Sequence, residues 1–184
     1  MLNIFLVGPA GRARTRSLRR MPQLAAQSHP SRPVVVYIDF RTLVSASQAQ
    51  CFRSMTERLF QGLRQAAWLT CSLPPETPHA PAAFSCLVDL LRRSEENSVH
   101  VVYLLNNFDE CERNPALSTA FFSALRSLAS LPTVAFVCAS SKGPHQIARI
   151  DGGLASSFYN VFVLSSLATG GTGYVGPAPI LRTP

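Results

Sequence analysis

Five apolar runs recur along the chain, and each has the length of one buried β-strand. They are rich in β-branched and aromatic residues, which is typical of strands, and turn-forming or polar segments separate them. The second of these runs is apolar at nearly every position instead of alternating with polar residues, which favours a parallel sheet that is covered on both faces. The predicted strands are residues 2–7, 34–40, 99–105, 133–139 and 158–164.

Segments with a helical spacing of apolar residues lie between the predicted strands. Residues 16–24 predict a short helix that Pro22 interrupts. Ser47 is predicted to cap a long second helix, and the four prolines of residues 70–83 predict a loop before the third. Pro115 is predicted to start a fourth helix, because proline suits the first helical turn. The residues predicted to face the core are Phe52, Met55, Leu59, Leu63, Ala66, Leu87, Val88, Leu90, Leu91, Leu117, Phe121, Ala124, Leu125 and Leu128.

Strands that alternate with helices predict an α/β fold, a three-layer sandwich with a mostly parallel five-stranded sheet. Residues 1–167 are expected to form one domain. Residues 168–184 hold four glycines and three prolines, so we expect a disordered tail or a linker there. A chain that starts at a strand and ends in a Gly/Pro-rich segment is compatible with a piece of a longer protein, or with a truncated or decaying gene.

The composition fits a globular domain. Of the 184 residues, 47% are hydrophobic and 15% are charged, which argues against a disordered chain. No apolar run approaches the roughly 18 residues that span a bilayer, and no secretory signal is visible. The five cysteines form no metal-binding cluster, which predicts reduced, mostly buried thiols in a cytoplasmic protein without structural zinc. They are Cys51, Cys71, Cys86, Cys111 and Cys138.

The positive charge of the chain is concentrated near its start. The net charge is +7, and residues 1–41 hold seven arginines against one acid, Asp39. Such a cluster is suited to the phosphates of a nucleotide or of a nucleic acid, and a solvated helix face explains it equally well. The chain has sixteen arginines and a single lysine, Lys142. The clustered arginines are Arg12, Arg14, Arg16, Arg19 and Arg20.

The octet that follows the first predicted strand has the frame of a phosphate-binding loop. In the motif GxxxxGK[ST], backbone N–H groups surround the phosphates, the lysine neutralises their oxygens and the Ser/Thr hydroxyl binds magnesium. Here Ala13 replaces the second glycine and Arg14 replaces the lysine. We expect the methyl group of Ala13 to crowd the loop and to strain its backbone. The octet is Gly8, Pro9, Ala10, Gly11, Arg12, Ala13, Arg14 and Thr15.

A pair of asparagines follows the third predicted strand. A Walker B element ends its strand with Asp-Glu, where the Asp holds magnesium and the Glu orients the attacking water. Asn106 and Asn107 stand at that place, and neither carries the negative charge or acts as a base. Asp109 and Glu110 come three residues later. The spacing favours solvated loop acids over a loop that turns back to the site.

Taken in order, these segments resemble the core of AAA-like and STAND-type P-loop NTPases over about residues 2–167. The pieces are LVGPAGRARTRSL, VVVYIDF, VVYLLNNFDE, FFSALRSLAS, VAFVCASSK and SSFYNVFVLSSL. The resemblance implies ATP and magnesium as cofactors, with Thr15 and Asn106 at the metal-holding positions. It also places Lys142, in Ser140-Ser141-Lys142, where such ATPases read the γ-phosphate.

The departures from this pattern lead to three hypotheses. The first is a degenerate domain that binds ATP with weak or no hydrolysis and acts as a switch or scaffold for protein partners or further domains. The second is a working Mg²⁺-dependent ATPase in which Asp109 and Glu110 provide the metal ligand and the base. The third, ranked last because no aromatic residues are interleaved with the arginines, is a nucleic-acid-binding module. No membrane partner is expected.

Overall fold

The five predicted strands pair as one parallel sheet in the computed structural model, which describes residues 2–28, 33–66, 72–147 and 156–166. The order across the sheet is β2-β3-β4-β1-β5, and every neighbouring pair is parallel. The α/β class with a parallel five-stranded sheet is therefore confirmed. The strands are β1 (Asn3–Val7), β2 (Val34–Asp39), β3 (Val101–Asn106), β4 (Val134–Ser140) and β5 (Phe162–Ser166).

The strand register brings polar residues together at one edge of the sheet. Asp39 pairs with Asn106 across β2 and β3, and Val7 pairs with Ser140 across β1 and β4. Since the strands are parallel, their carboxyl ends share this edge. From β1 the chain passes β4 and β3 to reach β2, whereas from β4 it passes β1 in the opposite direction to reach β5. Ligands of α/β sheets bind at such a change of direction.

Alternate residues along each strand point to opposite faces of the sheet, so the core consists of two layers. One face of the sheet packs against α2 (Gln48–Gln65), α3 (Ala80–Glu96), α4 (Thr119–Ala129) and the short α6 (Ser156–Tyr159). The other face, carrying such residues as Leu104 and Val137, packs against Leu18 of α1 (Arg12–Ser28). In the described part of the chain, α1 is the one helix on this second face. A further short helix, α5 (Pro144–Ile147), follows β4.

The first helix differs from the prediction. It spans seventeen residues instead of 16–24, and Pro22 lies inside it. A proline within a helix removes one hydrogen bond and costs about 3 kcal/mol. The burial of Leu18 and Met21 against the sheet offsets this cost, which sequence periodicity alone does not reveal.

The second and third helices follow the prediction more closely. Ser47 caps α2 through a capping box, in which its hydroxyl accepts from the N–H of Gln50 and the Gln50 side chain accepts from Ser47. The predicted loop 70–83 ends earlier than expected, because Pro81 occupies the first turn of α3. Leu87, Leu90 and Leu91 are buried as predicted, whereas Val88 is half-buried. Ala66 was predicted wrongly, since it lies just past the end of α2 and is exposed. Residues 67–71 lie outside the described chain.

Two boundaries near the carboxyl half were predicted wrongly. Pro115 lies in a turn, and α4 begins at Thr119 after a 3₁₀-helix over Phe108–Arg113. The fifth strand starts at Phe162, since Phe158 is held in α6 by packing against other aromatic rings. The predicted domain end at 167 and the tail 168–184 lie outside the described residues and stay predictions.

The described cysteines are buried, apart from Cys86, which is half-buried. Cys51, Cys86, Cys111 and Cys138 are free thiols, and Cys71 is outside the described chain. Burial raises the pKa of Cys51 to about 12, so this thiol stays protonated at neutral pH. None of the described helices is both long enough and apolar enough to cross a membrane.

Candidate functional site

The predicted phosphate loop divides into a short turn and the start of α1. The turn begins at Gly8, whose N–H donates to the carbonyl oxygen of Ser140 at the end of β4 (3.0 Å). It ends at Gly11, whose carbonyl oxygen accepts the N–H of Thr15 (3.3 Å). The N–H groups of residues 12–14 therefore precede the first helical bond and have no acceptor within the helix. Such a helix start favours bound anions.

The other positions of the octet take different places. Pro9 and Ala10 are exposed in the turn, and Arg12 is exposed in the first turn of α1. Ala13 lies in the same helical turn and has no positive φ, so the backbone strain expected from its replacing a glycine is absent. That expectation was wrong because α1 begins inside the octet, where an L-residue is unstrained.

Arg14 points into the protein. Its side chain is only 4% exposed, and its two terminal nitrogens donate to the carbonyl oxygen of Gly8 (3.0 Å) and to Oδ1 of Asn107 (2.5 Å). Its Nε is buried without a partner among the described residues. Burial lowers the pKa of Arg14, and the neighbouring charge of Asp109 opposes this effect. The guanidinium thus joins the loop to the end of β3 and does not face solvent.

Asn107 extends this connection to β2. Its Nδ2 donates to Oδ1 of Asp39 (2.8 Å), and Asp39 pairs with Arg41 (2.8 Å). Burial opposes the ionisation of Asp39, but hydrogen bonds from Arg41 and Asn107 outweigh it and lower the pKa of Asp39. Asn107 adopts a left-handed conformation (φ 52°), which asparagine tolerates better than most residues. We call the connected set Gly8, Arg14, Asn107, Asp39 and Arg41 the Arg14 bridge.

Asn106 forms a second connection between β3 and α1. It is fully buried, and its Nδ2 donates to the hydroxyl oxygens of Thr15 (3.2 Å) and Tyr37 (2.8 Å). Its Oδ1 is buried without a described partner. Thr15 and Asn106, the two residues predicted to hold the metal, are therefore hydrogen-bonded to each other, and the group that Asn106 contributes is an uncharged amide.

Asp109 and Glu110 return to the site, contrary to the expectation of solvated loop acids. The 3₁₀-helix that begins at Phe108 folds the chain back, because Phe108 is buried in the aromatic core. Asp109 accepts a hydrogen bond from Ser141 through one oxygen, and its other oxygen is buried without a described partner. Glu110 pairs with Arg113 (3.1 Å).

Lys142 lies two residues past the end of β4. Its ammonium pairs with Glu112, and this partner raises the pKa of Lys142. Together with the bond between Ser141 and Asp109, this ion pair ties residues 141–142 to the 3₁₀-helix. We call these two contacts the β4 latch.

An open groove of about 810 Å³ runs along the outer side of α1. It includes Ala10, Gly11, Arg12 and Thr15 of the octet together with both returning acids, whereas Arg14, Asn106 and Lys142 do not line it. The sequence analysis missed Arg41. Its position two residues after Asp39, the last residue of β2, could have placed it at the edge of the sheet where the site lies. The lining residues are Ala10, Gly11, Arg12, Thr15, Arg16, Arg19, Arg20, Gln23, Arg41, Asn107, Asp109 and Glu110.

The groove suits phosphate better than it suits magnesium. The start of α1 offers N–H groups and the exposed guanidinium of Arg12, both of which favour an anion. For the metal, the described residues contain no group of three or more His, Cys, Asp or Glu that could hold an ion. Asn106 supplies no charge, and Thr15 already accepts its hydrogen bond. The usual magnesium position is therefore a poor fit, and among the described acids of the groove Asp109 has a buried carboxylate oxygen without a described partner.

Comparisons with known proteins identify the fold. The sequence matches no family model and no curated protein. Cdc6p from Pyrobaculum aerophilum superposes with a TM-score of 0.56 over 88% of this chain, at 15% identity. The ORC2 protein of Aeropyrum pernix gives 0.57 over 90% at 14% identity, and the ORC1 protein of the same organism, in complex with DNA, gives 0.54 over 89% at 16% identity.

These similarities concern the fold, since the identities are low, and the chain spans only 38%, 41% and 39% of the three proteins. The sheet order, the turn that opens into α1 and these superpositions define a P-loop NTPase-like fold of the kind found in the Cdc6 and ORC proteins. At that level the resemblance noted in the sequence is confirmed.

Proposed function

We propose that this chain is a degenerate AAA-like P-loop domain that binds a nucleotide, ATP first of all, with weak or no hydrolysis. The observation that carries the proposal is the start of α1, where unbonded N–H groups and Arg12 open into a large groove beyond the strand ends. The fold shared with Cdc6 and ORC proteins supports nucleotide binding in general.

Weak hydrolysis follows from the groups at the end of β3. An efficient ATPase needs a metal anchor and a group that orients water, and losing such a group costs several kcal/mol of barrier. Asn106 and Asn107 provide neither, because both amides are used in hydrogen bonds that connect β3 to its neighbours.

The proposed role is a switch or scaffold of STAND type that contacts protein partners or further domains of a larger chain. The β4 latch is the element that a nucleotide would affect. Lys142 remains the proposed sensor of the γ-phosphate, and to act so its ammonium has to exchange Glu112 for the phosphate. Arg41 lines the groove and also pairs with Asp39, so a bound anion competes with Asp39 for the guanidinium of Arg41. Binding would thereby be transmitted to β2 and to the 3₁₀-helix.

Calorimetric titration with ATP and ADP, with and without magnesium, tests the proposal. We expect saturable binding that weakens roughly ten- to hundred-fold in Arg12→Ala, since a charge-assisted hydrogen bond contributes about 1.5–3 kcal/mol. Arg58→Ala is the matched control, because Arg58 is exposed on α2 and lies outside the groove. Absence of binding at millimolar nucleotide, or equal losses in both variants, would rule the site out.

A working ATPase is the second candidate. The specific observation in its favour is Asp109, which lines the groove and keeps one carboxylate oxygen without a described partner. Magnesium in nucleotide sites is commonly held by one or two carboxylates together with phosphate oxygens, so a single acid is not a disqualification.

A further inference from the structure

The outer side of α1 carries a row of arginines that extends well beyond the nucleotide site. Arg14, Leu18 and Met21 recur at helical spacing and turn toward the sheet, so the arginines between them face outward. These outward residues follow a spacing of three and four and line one groove. We call them the arginine stripe: Arg12, Arg16, Arg19 and Arg20.

The charges of the arginine stripe are left uncompensated. Within the described chain none of its members forms an ion pair, whereas Arg41, Arg53, Arg113 and Lys142 all do. Arg19 instead lies over the ring of Tyr37, with its guanidinium carbon 5.5 Å from the ring centroid. Like charges four residues apart destabilise a helix, and the stripe contains two such pairs. Among the described residues, the contact with Tyr37 is thus the one internal interaction found for the side chains of the stripe.

The stripe is too long to serve one nucleotide. Arg12 and Arg20 are eight residues apart, which corresponds to about 12 Å along a helix axis. A nucleotide phosphate at the start of α1 meets Arg12, while Arg19 and Arg20 lie about two turns further along. Arg14 in the first turn of α1 bonds Asn107, and Asp109, two residues after Asn107, brings a negative charge to that near end of the groove. The far end of the groove is therefore the more positive one.

We propose that Arg16, Arg19 and Arg20 bind the phosphodiester backbone of a nucleic acid. Arginine suits phosphate because its planar guanidinium donates two hydrogen bonds in one direction. Among the described residues, none that lines the groove is aromatic or a large aliphatic one, whereas the centre of a protein interface is enriched in such residues. Lack of an aromatic platform also disfavours single strands. Duplex binding through the backbone, independent of base sequence, is the form that fits.

This binding goes beyond the proposed nucleotide site and is separable from it. Fluorescence anisotropy with a labelled duplex DNA, a duplex RNA and a single-stranded DNA, at several salt concentrations, measures it. We expect a duplex to bind, with affinity falling linearly in log salt, and to bind better than a single strand. The triple variant Arg16→Ala/Arg19→Ala/Arg20→Ala should reduce the salt slope by about three and the affinity at low salt at least ten-fold.

The matched control is Arg58→Ala/Arg92→Ala/Arg126→Ala, which removes the same charge from exposed positions on α2, α3 and α4. The proposal fails if no duplex binds at low salt, if both triple variants lose affinity equally, or if polyglutamate competes as well as unlabelled duplex. ATP titration of Arg19→Gln/Arg20→Gln, about two turns beyond the start of α1, should lower the ATP affinity less than Arg12→Ala does, so loss of nucleic-acid binding is distinguishable from loss of the nucleotide site. If circular dichroism shows the triple variant to be unfolded, Arg19→Gln/Arg20→Gln gives the same comparison with a slope change of about two.

Discussion

Arg14 shows how one replacement changes the role of a position. A lysine in a phosphate-binding loop offers a compact positive charge to the ligand. The arginine here is longer and planar, and it reaches two acceptors inside the protein, the carbonyl oxygen of Gly8 and the side chain of Asn107. The charge is therefore used for the Arg14 bridge, and the exposed cation of the loop is Arg12. Arg14 holds the loop in place, and Arg12 is the arginine that contacts the nucleotide in the proposed function.

The Arg14 bridge predicts a loss of stability when the guanidinium is removed. We expect Arg14→Met to lower the free energy of unfolding by about 1–3 kcal/mol, because buried acceptors lose their donor. Arg12→Met, an exposed change, should stay within about 0.5 kcal/mol. Urea unfolding measures both. An unchanged free energy of unfolding in Arg14→Met, combined with loss of ATP binding, would instead place the guanidinium on the ligand.

At the scale of elements, α1 and the 3₁₀-helix form the two walls of the groove. The inner side of α1 holds the helix on the sheet through Leu18 despite Pro22, and its outer side is free to carry arginines. The 3₁₀-helix brings Asp109 and Glu110 back to the opposite wall. One wall is thus basic and the other acidic, an arrangement that sequence spacing alone did not predict.

The acids of the 3₁₀-helix allow the degenerate domain to be distinguished from the working ATPase. In phosphate-release assays with ATP and magnesium, we expect turnover at background level, and Asp109→Asn and Glu110→Gln to leave it unchanged. The physical reason is that the end of β3 carries neutral amides where the chemistry requires charge. Asp89→Asn, on the exposed side of α3, is the control. Magnesium-dependent turnover that Asp109→Asn abolishes and Asp89→Asn preserves would establish the ATPase.

For the whole molecule, the core and the candidate site share one segment. Phe108 follows Asn107 directly and packs against the rings of Phe5, Phe40 and Phe158, with centroid separations of 6.3, 4.9 and 5.7 Å. Because Phe108 fixes the chain just after the Arg14 bridge, the packing of the core sets the position of the returning acids.

We expect Phe108→Leu to lower the free energy of unfolding by about 1–3 kcal/mol, because the smaller side chain leaves a cavity in a fully buried site. Phe84→Leu should cost less, since Phe84 is only partly buried against the same core. Denaturant titration of the two variants tests the comparison. A larger effect at Phe84 would show that the ring cluster around Phe108 is not the centre of the core.

The sequence by itself determined the strands, the parallel sheet, the capped second helix and the place of the octet at the edge of the sheet. These features depend on the spacing of apolar residues and on capping groups, which neighbours along the chain encode. The tertiary structure decided the direction of Arg14, the left-handed turn at Asn107, the return of Asp109 and the passage of α1 through Pro22. Arg14 and Asn107 are 93 residues apart, and Asn106 and Tyr37 are 69 apart. Partners at such separations meet only when the sheet has formed, so their hydrogen bonds leave no local pattern in the sequence.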